Sequence, residues 1–85
     1  MFDLIWTDYA LDELADIWVR CSPPERDEVA SAVQRLDPQL VRDPMAVGES
    51  RGGNRRVAIE PPIVVWFVVS APDRTVRVNH VSKPH

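Results

Sequence analysis

Apolar and polar residues alternate from the start of the chain, where Phe2, Leu4 and Trp6 interleave with Asp3, Ile5 and Thr7. A period of two predicts a short first strand with one wholly apolar face. The period then lengthens. Over residues 8–20, Ala10, Leu11, Leu14, Ile17 and Trp18 recur at spacings of three and four, while Asp12, Glu13, Asp16 and Arg20 take the other side. That is the stripe of an amphipathic helix, capped by Thr7 or Asp8. Ser22-Pro23-Pro24-Glu25 is a sharper signal. Serine caps, proline fits the first helical position, and a glutamate three residues after the cap completes a capping box. A second helix is expected over 23–36, with Val29, Ala32, Val33 and Leu36 as its stripe. Asp37-Pro38 should end it, because a residue before proline is pushed out of the α region. Leu40 and Val41 add at most one further turn. Two helices this close in sequence predict an antiparallel hairpin.

Residues 43–54, with Asp43-Pro44, Gly48, Ser50 and Gly52-Gly53-Asn54, read as a loop. Three strands follow, at Arg55–Glu60, Ile63–Ser70 and Thr75–Val81, joined by Pro61-Pro62 and Ala71-Pro72-Asp73-Arg74. Such short connections predict an antiparallel meander. The expected fold is α+β, in the order β-α-α-β-β-β. A helical hairpin packs on one face of a small antiparallel sheet, and the first strand pairs beside the last. The whole of 1–85 forms one domain.

The middle meander strand is apolar at both parities, Ile63, Val65, Phe67 and Val69 against Val64, Trp66 and Val68. A strand apolar on both faces is normally covered on both, and one hairpin covers one. In the flanking strands, Val57 and Ile59, with Val76 and Val78, suit the helix side. The open face is then an apolar stripe rimmed by Arg56 and Arg77. Either parity of the middle strand fits it, Val64, Trp66 and Val68 being preferred over Val65 and Phe67. Such a stripe with a basic rim marks a partner site.

With 45% hydrophobic and 27% charged residues, the 85-residue chain has the balance of a soluble globular domain. Its longest apolar run, Ile63–Val69, falls short of the roughly 18 residues of a membrane span. No basic signal-peptide region opens the chain, and Cys21 is a lone cysteine, so a reducing, cytoplasmic location is expected. The net charge of −3 hides an asymmetry: residues 1–50 carry −7 and residues 51–85 carry +4. The C-terminal half is where an anionic partner would be met.

Candidate chemistry is sparse. Two distant histidines, His80 and His85, supply no metal cluster, and neither metal nor cofactor is expected. His80 shares the parity of Val76 and Val78 and reads as a partly buried structural histidine rather than a general acid or base. His85 is expected to be disordered. Cys21 has no activating neighbour in the sequence. Arg51-Gly52-Gly53 has the residue types of a phosphate cradle, though without a fixed spacing motif a flexible loop is the default. Trp6 and Trp18 read as core.

In three pieces, the whole chain resembles the RelE/ParE superfamily of type II toxin–antitoxin toxins. These are Ile5-Trp6-Thr7 with Ala10, Leu14 and Trp18; Leu36-Asp37-Pro38 through Gly48-Glu49-Ser50-Arg51 to Arg55-Arg56-Val57; and Val64–Val69 with Val76–His80. The resemblance implies the fold above and a cognate antitoxin whose segment covers the working surface. It also implies a target, gyrase for ParE-like members or mRNA on the ribosome for RelE-like ones. Metal-free RelE-like cleavage relies on cations at the transition state. Arg56 matches one such position, Arg51, Arg77, His80 and Lys83 are further candidates, and Lys83 stands where arginine is preferred. Ala58 and Ile63 occupy positions where RelE-like members are often basic, and no tyrosine follows Lys83. The cleavage set is therefore incomplete, which favours a ParE-like, growth-inhibiting toxin. The alternatives are a reduced RelE-like ribonuclease and a non-toxic binding module on the same fold.

Overall fold

The computed structural model describes residues 1–84; His85 and the disorder expected of it lie outside the described residues. Its elements run β1 (Asp3–Trp6), α1 (Asp8–Arg20), α2 (Pro23–Arg42), a 3-10 turn (Pro44–Ala46), β2 (Glu49–Ser50), β3 (Arg55–Glu60), β4 (Ile63–Ser70) and β5 (Thr75–Ser82). The sheet order is β1-β5-β4-β3-β2. β1 takes the expected edge beside β5 but runs parallel to it, so the sheet is mixed rather than wholly antiparallel.

Both helix starts follow local rules. The Thr7 hydroxyl accepts from the Ala10 amide at 3.1 Å. Ser22 and Glu25 form the complete capping box, the Glu25 carboxylate accepting from the Ser22 amide at 2.9 Å. The end of α2 breaks one. The helix runs through Pro38 to Arg42 instead of stopping near 36. An internal proline costs roughly 3 kcal/mol, while burying a leucine side chain returns roughly 1.5–3 kcal/mol. Leu36 and Leu40 sit one turn apart, at 1% and 0% exposure, on either side of Pro38. Gln34, whose carbonyl loses its partner to Pro38, is exposed, so the end of the broken bond is open to solvent. The Phe2 amide donates to the Val41 carbonyl, which ties the last turn of α2 to the chain's first residues.

The core lies between α2 and the sheet. Val29, Ala32, Leu36 and Leu40 meet Ile63, Val65, Phe67 and Val69 with Val76, Val78 and Val81. In α1 only Ala10 is buried, and Leu14 and Ile17 pack at the margin. Leu11 and Trp18, read as part of the buried stripe, are 47% and 40% exposed. Trp6 is half-buried, its indole N–H donating to Asp37 Oδ1 at 3.2 Å. Burial pushes the Asp37 carboxyl above its ordinary value, and the Trp6 hydrogen bond partly offsets this.

The expected loop at 43–54 contains the 3-10 turn and β2, which pairs antiparallel with β3 through Glu49–Val57 and Ser50–Arg56. Gly48 makes this pairing possible. Its φ is +66°, and a β-carbon there would lie 2.0 Å from the Val57 carbonyl oxygen. No helix among the described residues is long and apolar enough to cross a membrane.

Candidate functional site

The open face of the sheet is built from cross-strand rows. The two-residue connection after Glu60 sets Glu60 opposite Ile63, Ile59 opposite Val64, Val57 opposite Trp66 and Arg55 opposite Val68. Since Ile63, Val65 and Phe67 face the helices, Arg56, Ala58 and Glu60 share their side, and Val57 and Ile59 belong to the open face. This reverses the sequence assignment for β3. The reason is register: a one-residue shift flips a whole strand. Ile59, expected in the core, is 75% exposed. The middle strand obeys the preferred assignment, with Val64, Trp66 and Val68 half-buried on the open side.

β5 changes parity along its length. Val76 and Val78 face the helices and Arg77 lies opposite Val68 on the open face. The register then shifts, Phe67 pairing Val78 while Trp66 pairs His80. Asn79 is the extra residue of a β-bulge. His80 is thereby turned to the open face, not the helix face, and Val81 is turned into the core at 2% exposure.

One row therefore reads Glu49, Val57, Trp66, His80, and the next reads Arg55, Val68, Arg77, Ile5. Trp66 lies between two hollows. One, of about 450 Å³, is lined by Glu49, Val57, Ile59 and Val64; the other, of about 410 Å³, by Arg55, Val68 and Asn79. Arg51 borders both. The Arg51 amide donates to the Arg55 carbonyl at 2.8 Å across the tight turn that Gly52 and Gly53 make at positive φ. Its guanidinium donates to Glu49 Oε2 at 3.2 Å.

Of the candidate cations, Arg51, Arg77 and His80 converge on this face. Arg56 borders the smaller hollow, but its side chain starts from the helix side and is committed to the Val47 and Gly48 carbonyls, donating to both at 3.1 Å. Arg55 takes the open-face position instead. Lys83 lies elsewhere, its ammonium donating to Glu25 Oε2 at 3.2 Å beside the start of α2. The Ser22 amide and hydroxyl, then Lys83, pull the Glu25 carboxyl down to about 2. Ala58 and Ile63 are core residues, at 5% and 0% exposure. Sequence reasoning also passed over Glu13, read as a solvated helix residue; its carboxylate reaches His80 Nδ1 at 2.7 Å and accepts from the Val81 amide at 3.0 Å. Nothing in helical periodicity signals a partner 67 residues away.

Comparisons place this architecture. No family model matches the chain, and no curated protein matches it in sequence. Solved structures do match in shape. The toxin–antitoxin complex RelBE2 of Mycobacterium tuberculosis aligns with a TM-score of 0.75 at 20% identity, covering 98% of both chains. The chromosomal ParDE system of P. aeruginosa aligns at 0.74 and 20% identity, covering 100% of this chain and 98% of that one. The intact RelBE complex of E. coli aligns at 0.67 and 16% identity, covering 100% and 99%. At these identities the likeness establishes the fold, and the fold is that of the RelE and ParE toxins.

Proposed function

We propose that this chain is the toxin of a type II toxin–antitoxin module, acting in the ParE-like manner by binding a cellular target and neutralised by a cognate antitoxin. The observation that carries this is the open face: Ile59 exposed and Val64, Trp66 and Val68 only partly buried, beside a row that holds Arg55 and Arg77. An uncovered apolar stripe of this kind is a binding surface, and its charge selects an occupant that alternates apolar with acidic side chains. Two of the solved structures of the same fold are described as toxin–antitoxin complexes and a third as a ParDE TA system, which supports an antitoxin as that occupant.

Binding is favoured over RNA cleavage because the cleavage set is broken: Arg51, Arg77 and His80 lie on the open face, but the other positions are engaged or apolar. Arg56 is held by two backbone carbonyls, Lys83 by Glu25, and Ala58 and Ile63 are buried apolar residues. Charge stabilisation at a transferring phosphoryl group requires donors aimed at it, and losing one typically costs about 10²–10³ in rate.

Induced expression in a bacterial host tests the reading. Growth should stop, RNA 5′-end mapping should show no codon-register cuts, and purified chain should inhibit gyrase supercoiling. Charge reversal at Arg55 and Arg77 together should relieve the arrest. Trp66→Ala should weaken antitoxin binding about 30-fold, the equivalent of about 2 kcal/mol at an interface anchor. Ribosome-dependent cuts that vanish in Arg56→Ala or Lys83→Ala would replace this reading with the ribonuclease. Unimpaired growth would leave only a non-toxic binding module.

A further inference from the structure

The bulge at Asn79 does more than reverse a parity. β1 pairs β5 only from Thr75 to Val78, so beyond that point the outer edge of β5 has no strand beside it among the described residues. α1 supplies the missing partner. One Glu13 oxygen accepts from the Val81 amide at 3.0 Å, which satisfies an edge N–H, and the carboxylate also contacts His80 Nδ1, its nearer oxygen at 2.6 Å. The His80 ring lies on Trp66, centroids 4.4 Å apart, with Tyr9 further out at 6.5 Å. The Glu13 side chain is 20% exposed and that of His80 is 42% exposed, so the carboxylate sits behind the ring and the ring faces outward.

A carboxylate only accepts hydrogen bonds, so the imidazole nitrogen that meets it at this distance carries the hydrogen. Which ring nitrogen is protonated in a neutral histidine is set by the bond the other nitrogen makes. We propose that Glu13 is a positioning residue that fixes neutral His80 as the Nδ1–H tautomer, so that Nε2 is offered beside Trp66 as a hydrogen-bond acceptor.

This assignment gives the open face a polarity and rests on its reading as a partner surface. Arg55 and Arg77 flank Val68 one row away, while His80 flanks Trp66. The occupant then places carboxylates over the arginines and a donor, a hydroxyl or an amide, over His80. While the ring is neutral, a segment laid in the opposite direction would set a carboxylate against an acceptor, which costs affinity through an unpaired polar group. Glu13 thereby helps fix the direction in which the segment lies, although it touches nothing on the face itself.

The test uses the free, folded chain and needs no partner. Long-range ¹H–¹⁵N correlation at a pH where the ring is neutral reports which nitrogen carries the hydrogen. The wild type should show the Nδ1–H form. Glu13→Gln, which keeps an acceptor oxygen, should retain it. Glu13→Ala should shift the ring towards the Nε2–H form and expose the Val81 amide to rapid hydrogen exchange. A wild-type ring protonated on Nε2 overturns the assignment whether or not any variant folds, and so does a Glu13→Ala ring still held as Nδ1–H. Neither result touches the toxin reading, which is judged on growth, and unimpaired growth would not alter the tautomer.

Discussion

Ile63, Val65, Phe67 and Val69 are at most 4% exposed, while Val64, Trp66 and Val68, interleaved with them on the same strand, remain half-buried. The two sets consist of the same kinds of side chain. What separates them is what lies opposite. The first set meets Val29, Ala32, Leu36 and Leu40 of α2. The second meets no layer among the described residues, and its neighbours in the sheet include Arg55, Arg77 and His80. Hydrophobicity alone therefore does not mark the core; an apolar face becomes core only where another apolar layer is supplied, and otherwise it is left for a partner.

The sharpest way to break this comparison is to truncate one aromatic on each face. Phe67→Ala removes a ring that is 1% exposed and leaves a cavity. Such changes cost about 3–5 kcal/mol, a large share of the 5–15 kcal/mol that keeps a domain folded. Trp66→Ala, on a ring that is only partly buried, should cost clearly less, about 1–2 kcal/mol. Urea unfolding of both variants checks the difference. Equal losses would mean that both faces are core and that the open face has no free stripe.

Adjacent arginines give a smaller version of the contrast. Arg56 holds the Val47 and Gly48 carbonyls and thereby the edge where β2 joins β3, whereas Arg55 has one long bond, to the Arg51 carbonyl at 3.5 Å. Arg56→Ala should destabilise by about 1 kcal/mol, since a charged donor is lost but water reaches part of the gap. Arg55→Ala should leave stability within about 0.5 kcal/mol. Melting temperatures measured side by side decide it, and a reversed order would return Arg56 to the open face.

How far the sequence carried this picture varied with the range of the interaction. Thr7 and the Ser22–Glu25 box were legible because capping is settled within four residues. The strands of the meander and the preferred face of β4 were legible because alternation is local. The stop at Pro38 was misread because the local penalty is outweighed by Leu36 and Leu40, whose burial depends on a sheet formed later in the chain. Apolar character alone puts Ile59 with the core, but register, not hydrophobicity, decides its face. The pairing of Glu60 with Ile63 across a two-residue turn already places Ile59 on the open side. The bulge at Asn79 has no sequence signature, and with it His80, Val81 and the role of Glu13 were out of reach.

The last contrast is between two cations near the end of the chain, Arg77 of β5 on the open face and Lys83, just past β5, tied to Glu25, and it is tested by pH. Glu25 is held down to about 2 from an ordinary 4.5, first by the Ser22 amide and hydroxyl and then by Lys83. A carboxylate whose folded value is depressed favours the fold once it is ionised in both states. That contribution is whole above about pH 4.5 and is lost as the pH falls towards 2. Asp37 acts in the opposite sense: its raised value favours the fold when it is protonated, and this contribution fades as the pH rises through its folded value. The two carboxylates of α2 thus oppose each other in acid, and each is separated by its own amide. Glu25→Gln should lower the urea midpoint at pH 7, with the gap to wild type closing by pH 2–3 as Glu25 itself is protonated. Asp37→Asn should show a pH-dependent difference of the reverse sign. Arg77→Ala should leave the same acid profile unchanged, because Arg77 has no side-chain ion pair among the described residues and owes the fold nothing that a carboxylate could release. An acid profile altered by Arg77→Ala and untouched by Glu25→Gln would exchange the roles of the two cations and place the binding cation at Lys83.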